Sequence, residues 1–114
     1  MITVSHGIAS ADTLGCVIGR GAWVDELDDA AIREIFAAQH ADAKFDEAFE
    51  AQFGAHVPDE LNSVQVLTVV AAGLDEAAER GARSLAEQGI EFRAYAFQEF
   101  VDADDTYIMT SQLV

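Results

Sequence analysis

The sequence predicts an α/β fold, a mixed sheet of about four strands flanked by helices. Three observations carry this. Val64 to Ala72 is β-branched, nearly continuously apolar and uncharged, as a buried strand is. Asp75 to Gly89 has a side-chain cap, small apolar residues at helical spacing and a glycine stop. Residues 90 to 101 then alternate with period two. Strand, helix and strand in succession make a right-handed crossover that joins two parallel strands.

Each element follows from local chemistry. Residues 2 to 5 form a short strand. Ser10 or Asp12 caps a helix whose apolar face is Leu14, Val17, Ile18, Gly21 and Val24. Asp28 caps a second helix with Ile32, Ile35 and Phe36 on one face. Phe45, Phe49 and Phe53 stand four residues apart on a third, closed by Gly54. Val57 precedes Pro58 and is therefore extended. The helix after Asp75 turns Ala78, Gly81, Ala82 and Leu85 inward, small enough for close approach to a sheet. In the strand that follows, Ile90, Phe92, Ala94 and Ala96 share one side and Tyr95, Phe97 and Val101 the other. With both sides apolar, it is expected to be central in the sheet or covered on both faces. Asp102 to Asp105 is a turn into a last, antiparallel strand over 106 to 111.

Composition bounds the class. A chain of 114 residues, half of them hydrophobic, makes a single domain with a real core. The 21 acids against six bases give a formal charge of −15, and Lys44 is the only lysine. Repulsion on that scale opposes compaction unless salt screens it. The acid-rich, lysine-poor, alanine-rich balance fits a salt-loving or high-GC organism. It also disfavours nucleic acid as a partner, because phosphate binding needs a basic patch. Arg20, Arg33, Arg80, Arg83 and Arg93 form no stripe. The lone Cys16 makes no internal disulfide and fits a reducing compartment. The opening residues lack a basic region and a long apolar run, and no apolar run could span a bilayer. These features point to a cytoplasmic, soluble protein with no membrane role.

Further along, an ordered set of landmarks is familiar. Ala22-Trp23-Val24-Asp25-Glu26-Leu27 leads to Phe45-Asp46-Glu47-Ala48-Phe49, Phe53-Gly54 and Pro58-Asp59-Glu60-Leu61-Asn62. Val66 to Ala72, Leu74-Asp75, Glu79-Arg80, Leu85 to Ile90 and Phe97-Gln98-Glu99-Phe100 follow. In this order they resemble the C-terminal portion of a restriction-endonuclease-like domain, of the PD-(D/E)xK nuclease superfamily. The resemblance implies one such domain over residues 1–114, lacking its N-terminal catalytic strands. In such nucleases a strand carries an acid that binds magnesium and, two residues on, a lysine that orients the attacking water. The next helix presents a glutamine, with an aromatic residue a turn later. By this resemblance the acid position falls on Thr3, the lysine on Ser5, the glutamine on Cys16 and the aromatic on Arg20. His6 and Gly7 stand where a basic residue and a glycine belong. A hydroxyl does not replace a carboxylate as a magnesium ligand, nor a serine a cation. No Asp or Glu precedes Asp12, so a slip of one or two residues does not restore the motif.

Other constellations have plainer readings. His6, His40 and His56 read as solvent-facing or capping residues, and Asp102, Asp104 and Asp105 as a solvated turn, since Tyr107 and Leu113 stand where a calcium loop needs glycine and glutamate. Gly15, Gly19 and Gly21 lie within a helix and read as close packing, not a phosphate loop. Cys16 reads as a small core residue. Trp23, Phe45, Phe49 and Phe53 read as core rather than as a groove.

The sequence therefore predicts a pseudoenzyme with no cofactor, an interaction or structural protein with an exposed sheet edge, either a homo-oligomer, such as a homodimer, or a subunit that docks on a protein partner. The rival readings are a magnesium-dependent endonuclease using other acids, Asp12 with Asp25 or Glu26, and a nucleic-acid-binding module.

Overall fold

A computed structural model describes all residues from Met1 to Val114. The strands are β1 (Ile2–Val4), β2 (Ile8–Ala9), β3 (Leu67–Ala71), β4 (Gly73–Leu74), β5 (Phe92–Asp102) and β6 (Asp105–Gln112). The helices are α1 (Ala11–Asp25), α2 (Asp29–Gln39), α3 (Phe45–Phe53) and α4 (Glu76–Glu87). The chain forms two compact units, Met1–Ala22 with Gln65–Val114, and Trp23–Val64.

The first unit is the predicted α/β layer. Its mixed sheet has the order β1-β3-β5-β6, with β1, β3 and β5 parallel and β6 antiparallel. β2 and β4 make a second, two-stranded parallel pair that the sequence reading missed. Leu14 and Val17 of α1 and Ala78 and Ala82 of α4 bury against Leu67, Val69, Ala71, Phe92 and Ala94 of the sheet. Both helices thus cover one face. The approach of α1 is close: a Cβ on Gly21 would lie 2.6 Å from Leu67 Cδ2.

Caps set the helix ends. Ser10, not Asp12, begins α1: its carbonyl accepts from Leu14 N–H at 3.2 Å. Its own N–H donates back to Thr13 Oγ1 at 3.1 Å, the return arm of a capping box. Asp75 caps α4 by accepting from Ala78 N–H at 2.7 Å. At the other end Gly89 has φ +84°, while Gly89 and Ile90 N–H donate to Ala86 and Leu85 carbonyls. That pattern is a Schellman closure, which glycine alone meets without strain.

Three expectations are corrected in this unit. The strand expected over 64–72 is β3, Leu67–Ala71; Val64 lies outside it and is exposed, and the Val66 carbonyl accepts from the Met1 amino group instead. Cys16 is exposed rather than core. Gly15 and Gly19 have nothing within 4 Å of a notional Cβ, so only Gly21 serves close packing against the sheet. The cause is shared: α1 carries glycine, alanine and cysteine all round, so its pattern leaves the helix's rotation poorly fixed.

The second unit holds α2 and α3, and neither has a fully buried residue. Asp28 caps α2 through Ala31 N–H at 2.8 Å. Phe36, Phe45, Phe49 and Phe53 form a row with ring centroids 4.6 to 6.2 Å apart. The expected core stripe is therefore a half-exposed one: with Ala48 and Gln52 the phenylalanines line a shallow cavity of about 300 Å³, and Phe53 is 66% exposed. Arg33 pairs with Asp46 and lies over the Phe45 ring. Asn62 Nδ2 donates to the Val24 and Leu27 carbonyls, and Leu61 N–H to Asp29 Oδ1, which pins the returning segment after Pro58.

Candidate functional site

β1 carries Thr3, and Ser5 follows it, the two residues that the resemblance aligns with an acid and a lysine. Thr3 pairs with Val69, a buried core residue, so its side chain points to the helix-covered face. There its hydroxyl oxygen is buried and finds no hydrogen-bond partner in the chain. Ser5 continues the ladder, donating its N–H to the Val70 carbonyl at 2.8 Å. Strand alternation sets its side chain on the face of Thr3. His6 and Gly7 beyond it are exposed.

The helix positions look elsewhere. Cys16 and Arg20 are four residues apart on α1 and both exposed, whereas Leu14, Val17 and Gly21 meet the core. Arg20 makes no ion pair; the other five bases each have a carboxylate partner. The structure thus brings Thr3 to Ser5 and Cys16 to Arg20, and no hydrogen bond or ion pair joins the two pairs.

A magnesium ion fits this donor set poorly. It demands hard, charged oxygens in near-octahedral order, and the acid position offers one neutral hydroxyl facing a hydrocarbon layer. Nowhere do three or more His, Cys, Asp or Glu side chains gather to hold a metal ion. The alternative acids do not meet either. Asp12 and Asp25 lie in the first and last turns of α1, ~20 Å apart at 1.5 Å per residue, and Glu26 lies beyond Asp25. One ion cannot bridge that gap.

The other two histidines belong to the second unit. His40 ends α2, its N–H donating to the Phe36 carbonyl. His56 Nδ1 meets Glu50 Oε1 at 2.7 Å. That hydrogen bond, reinforced by the carboxylate's charge, raises its pKa above the ordinary 6.5.

What the sequence reading under-weighted is the hairpin. β5 and β6 run in register from Tyr95 and Gln112 to Asp102 and Asp105, around the turn Ala103-Asp104. β5 was expected to be central or covered on both faces, and it is central, between β3 and β6, but not covered on both faces. Instead Phe92 and Ala94 are buried, the strand is exposed from Gln98 onward, and every residue of β6 is exposed. Val101, Ile108 and Met109 are 76%, 69% and 62% exposed, beside exposed Phe100 and Tyr107.

The ladder fixes which way the outer strand points. Leu113 N–H donates to the Ala94 carbonyl at 2.7 Å. Bonded and non-bonded pairs alternate in antiparallel strands, so Ser111, Met109 and Tyr107 turn their main chain toward β5. Thr106, Ile108, Thr110 and Gln112 turn theirs outward, to no strand. No charged side chain stands from Thr106 to Leu113, in a chain where acids and bases number 27, 21 plus 6. That uncharged run was the signal available in the sequence. No helix is long and apolar enough to cross a membrane.

The chain matches no known protein family, no characterised protein and no solved structure.

Proposed function

We propose that this chain is a non-catalytic domain of the restriction-endonuclease-like class that works by protein association, with itself as first partner. The observation that carries the reading is the β5–β6 hairpin. From Thr106 to Gln112 this edge strand has exposed apolar side chains, outward main chain at alternate residues and no charge, proline or bulge, so over that run it lacks the devices that keep strand edges apart.

The catalytic side of the reading rests on charge. The strand that would hold the metal offers hydroxyls, and the acids nominated to replace it stand at opposite ends of α1. Nucleic acid is disfavoured by the same accounting, since counterion release needs free cations and five of six bases are committed to carboxylates.

Light scattering coupled to size exclusion at high salt tests association. A mass at least twice the 12.2 kDa of one chain is expected, and a strict monomer overturns the reading. A plasmid-nicking assay with magnesium or manganese tests the chemistry; metal-dependent cleavage by purified protein that disappears on heat unfolding overturns the non-catalytic part.

A further inference from the structure

We propose that two copies join edge to edge through β6, antiparallel about a two-fold axis at Met109, so that two four-stranded sheets become one of eight strands. This rests on the reading of the chain as self-associating, and it names the surface and the register.

Three features select a second copy as the occupant. The first is charge. Each chain carries −15, so two copies meeting across most of their surface oppose carboxylates. The stretch from Thr106 to Leu113 opposes none. A basic protein would be drawn to the acidic surface instead, and a nucleic acid finds no cation on this strand. The second is self-complementarity. An antiparallel edge presents alternating donors and acceptors that match an identical strand under a two-fold rotation, which closes at two copies. The third is the extent of the free ladder. Outward main chain runs from Thr106 to Gln112. It stops there because the Val114 carbonyl turns back to accept from Ala94 N–H at 3.1 Å.

These limits fix the register. With Met109 opposite Met109 of the second copy, Thr106 faces Gln112 and Ile108 faces Thr110. All four outward residues of each strand are then paired, by about eight main-chain hydrogen bonds. Shifting by two residues in either direction leaves outward groups without partners. In the chosen register Asp105 meets Leu113, so no like charges stand opposite each other across the seam.

The test uses disulfide trapping in a Cys16→Ser background, because the native thiol is exposed. Met109 pairs with itself at a non-hydrogen-bonded position, where Cα atoms lie about 4.5 Å apart, within disulfide range. Met109→Cys should cross-link to a covalent dimer under mild diamide oxidation. Ser111→Cys should not, since its two copies lie about 14 Å apart along the strands. Thr110→Pro removes an outward N–H while leaving the bonds to β5, and Ile108→Glu places a carboxylate on the seam. Each should weaken association at least about tenfold with an unchanged far-ultraviolet spectrum.

The failures are distinguishable. A wild type that is monomeric overturns both this proposal and the reading beneath it. A wild-type dimer in which Met109→Cys fails to cross-link, or Ser111→Cys links as readily, overturns the edge and register and leaves self-association standing. Assemblies that grow beyond two copies overturn the closed two-fold pair.

Discussion

Replacing Thr3 with valine should stabilise the protein, although it removes a polar group from a strand. The Thr3 hydroxyl oxygen is buried without a hydrogen-bond partner, on the face that packs against helices. A buried, unsatisfied polar group costs about 1–3 kcal/mol. The residue as a whole is only half-buried, so the lower end applies, a gain of about 1 kcal/mol. Valine keeps the branched shape and suits a pleated strand. For a domain of this size that is a rise of ~3–6 °C in the melting temperature. Urea unfolding followed by circular dichroism at fixed high salt measures it, with an unchanged slope showing that the same surface unfolds. A loss of 1 kcal/mol or more in Thr3→Val would mean that the hydroxyl is satisfied, and the argument would fail. The companion variant Thr3→Asp places a carboxylate where the nuclease pattern would have one. It should cost about 3 kcal/mol or more, as an unpaired buried charge does. Added magnesium should not recover that loss; recovery would show that the strand still belongs to a metal site.

Three further outcomes follow from packing, capping and charge. Gly21→Val pushes atoms into Leu67, whose Cδ2 lies 2.6 Å from a notional Cβ, and should cost about 1–3 kcal/mol by overpacking, read from the urea midpoint. Asp75→Ala removes the acceptor of Ala78 N–H at the start of α4 and should cost about 1 kcal/mol, with the Asp28→Ala change in α2 as the matched comparison. His56 should titrate above 6.5 because Glu50 holds its proton. With the folded value raised, its contribution is fully present below pH 6.5 and fades as pH climbs through that higher value. A proton NMR titration should show the shift, smaller in concentrated salt and gone in Glu50→Gln; a shift that survives Glu50→Gln would contradict the assignment.

How much was legible depended on whether the signal was local. Asp28, Asp75, Gly54 and Gly89 announce helix ends through their own side chain or backbone freedom, and each does so in the structure. The crossover from β3 through α4 to β5 follows from the same chemistry. Strand ends are less local. Val64 and Val66 look like sheet residues, but β3 begins only at Leu67, where Leu67 N–H finds the Glu91 carbonyl. β2 and β4 are two residues each, too short to leave a periodic pattern. The hairpin was legible only in part. Apolar residues on both sides of β5 fit its inner place between β3 and β6, but periodicity does not tell a covered strand from an uncovered one. Cys16 illustrates the limit at the site itself: its place on the nuclease pattern came from resemblance, while its exposure came from a rotation of α1 that small residues leave unmarked.

The missing carboxylates and the uncharged edge are two views of one electrostatic arrangement. Acids are abundant, yet none precedes Asp12 and none stands from Thr106 to Leu113. Most of them sit at exposed positions of helices, turns and the outer end of the β5–β6 hairpin, where salt screens them within ~3 Å at molar ionic strength. Contacts that depend on opposite charge, such as those to phosphates, weaken as salt rises. Contacts made by main-chain hydrogen bonds and apolar side chains do not, and they strengthen as repulsion between two −15 chains is screened. Salt therefore acts with opposite sign on the two rival uses of the surface, loosening a nucleic acid and tightening a second copy. A strand kept free of charge in so acidic a chain therefore gains most where salt screens the rest of the surface.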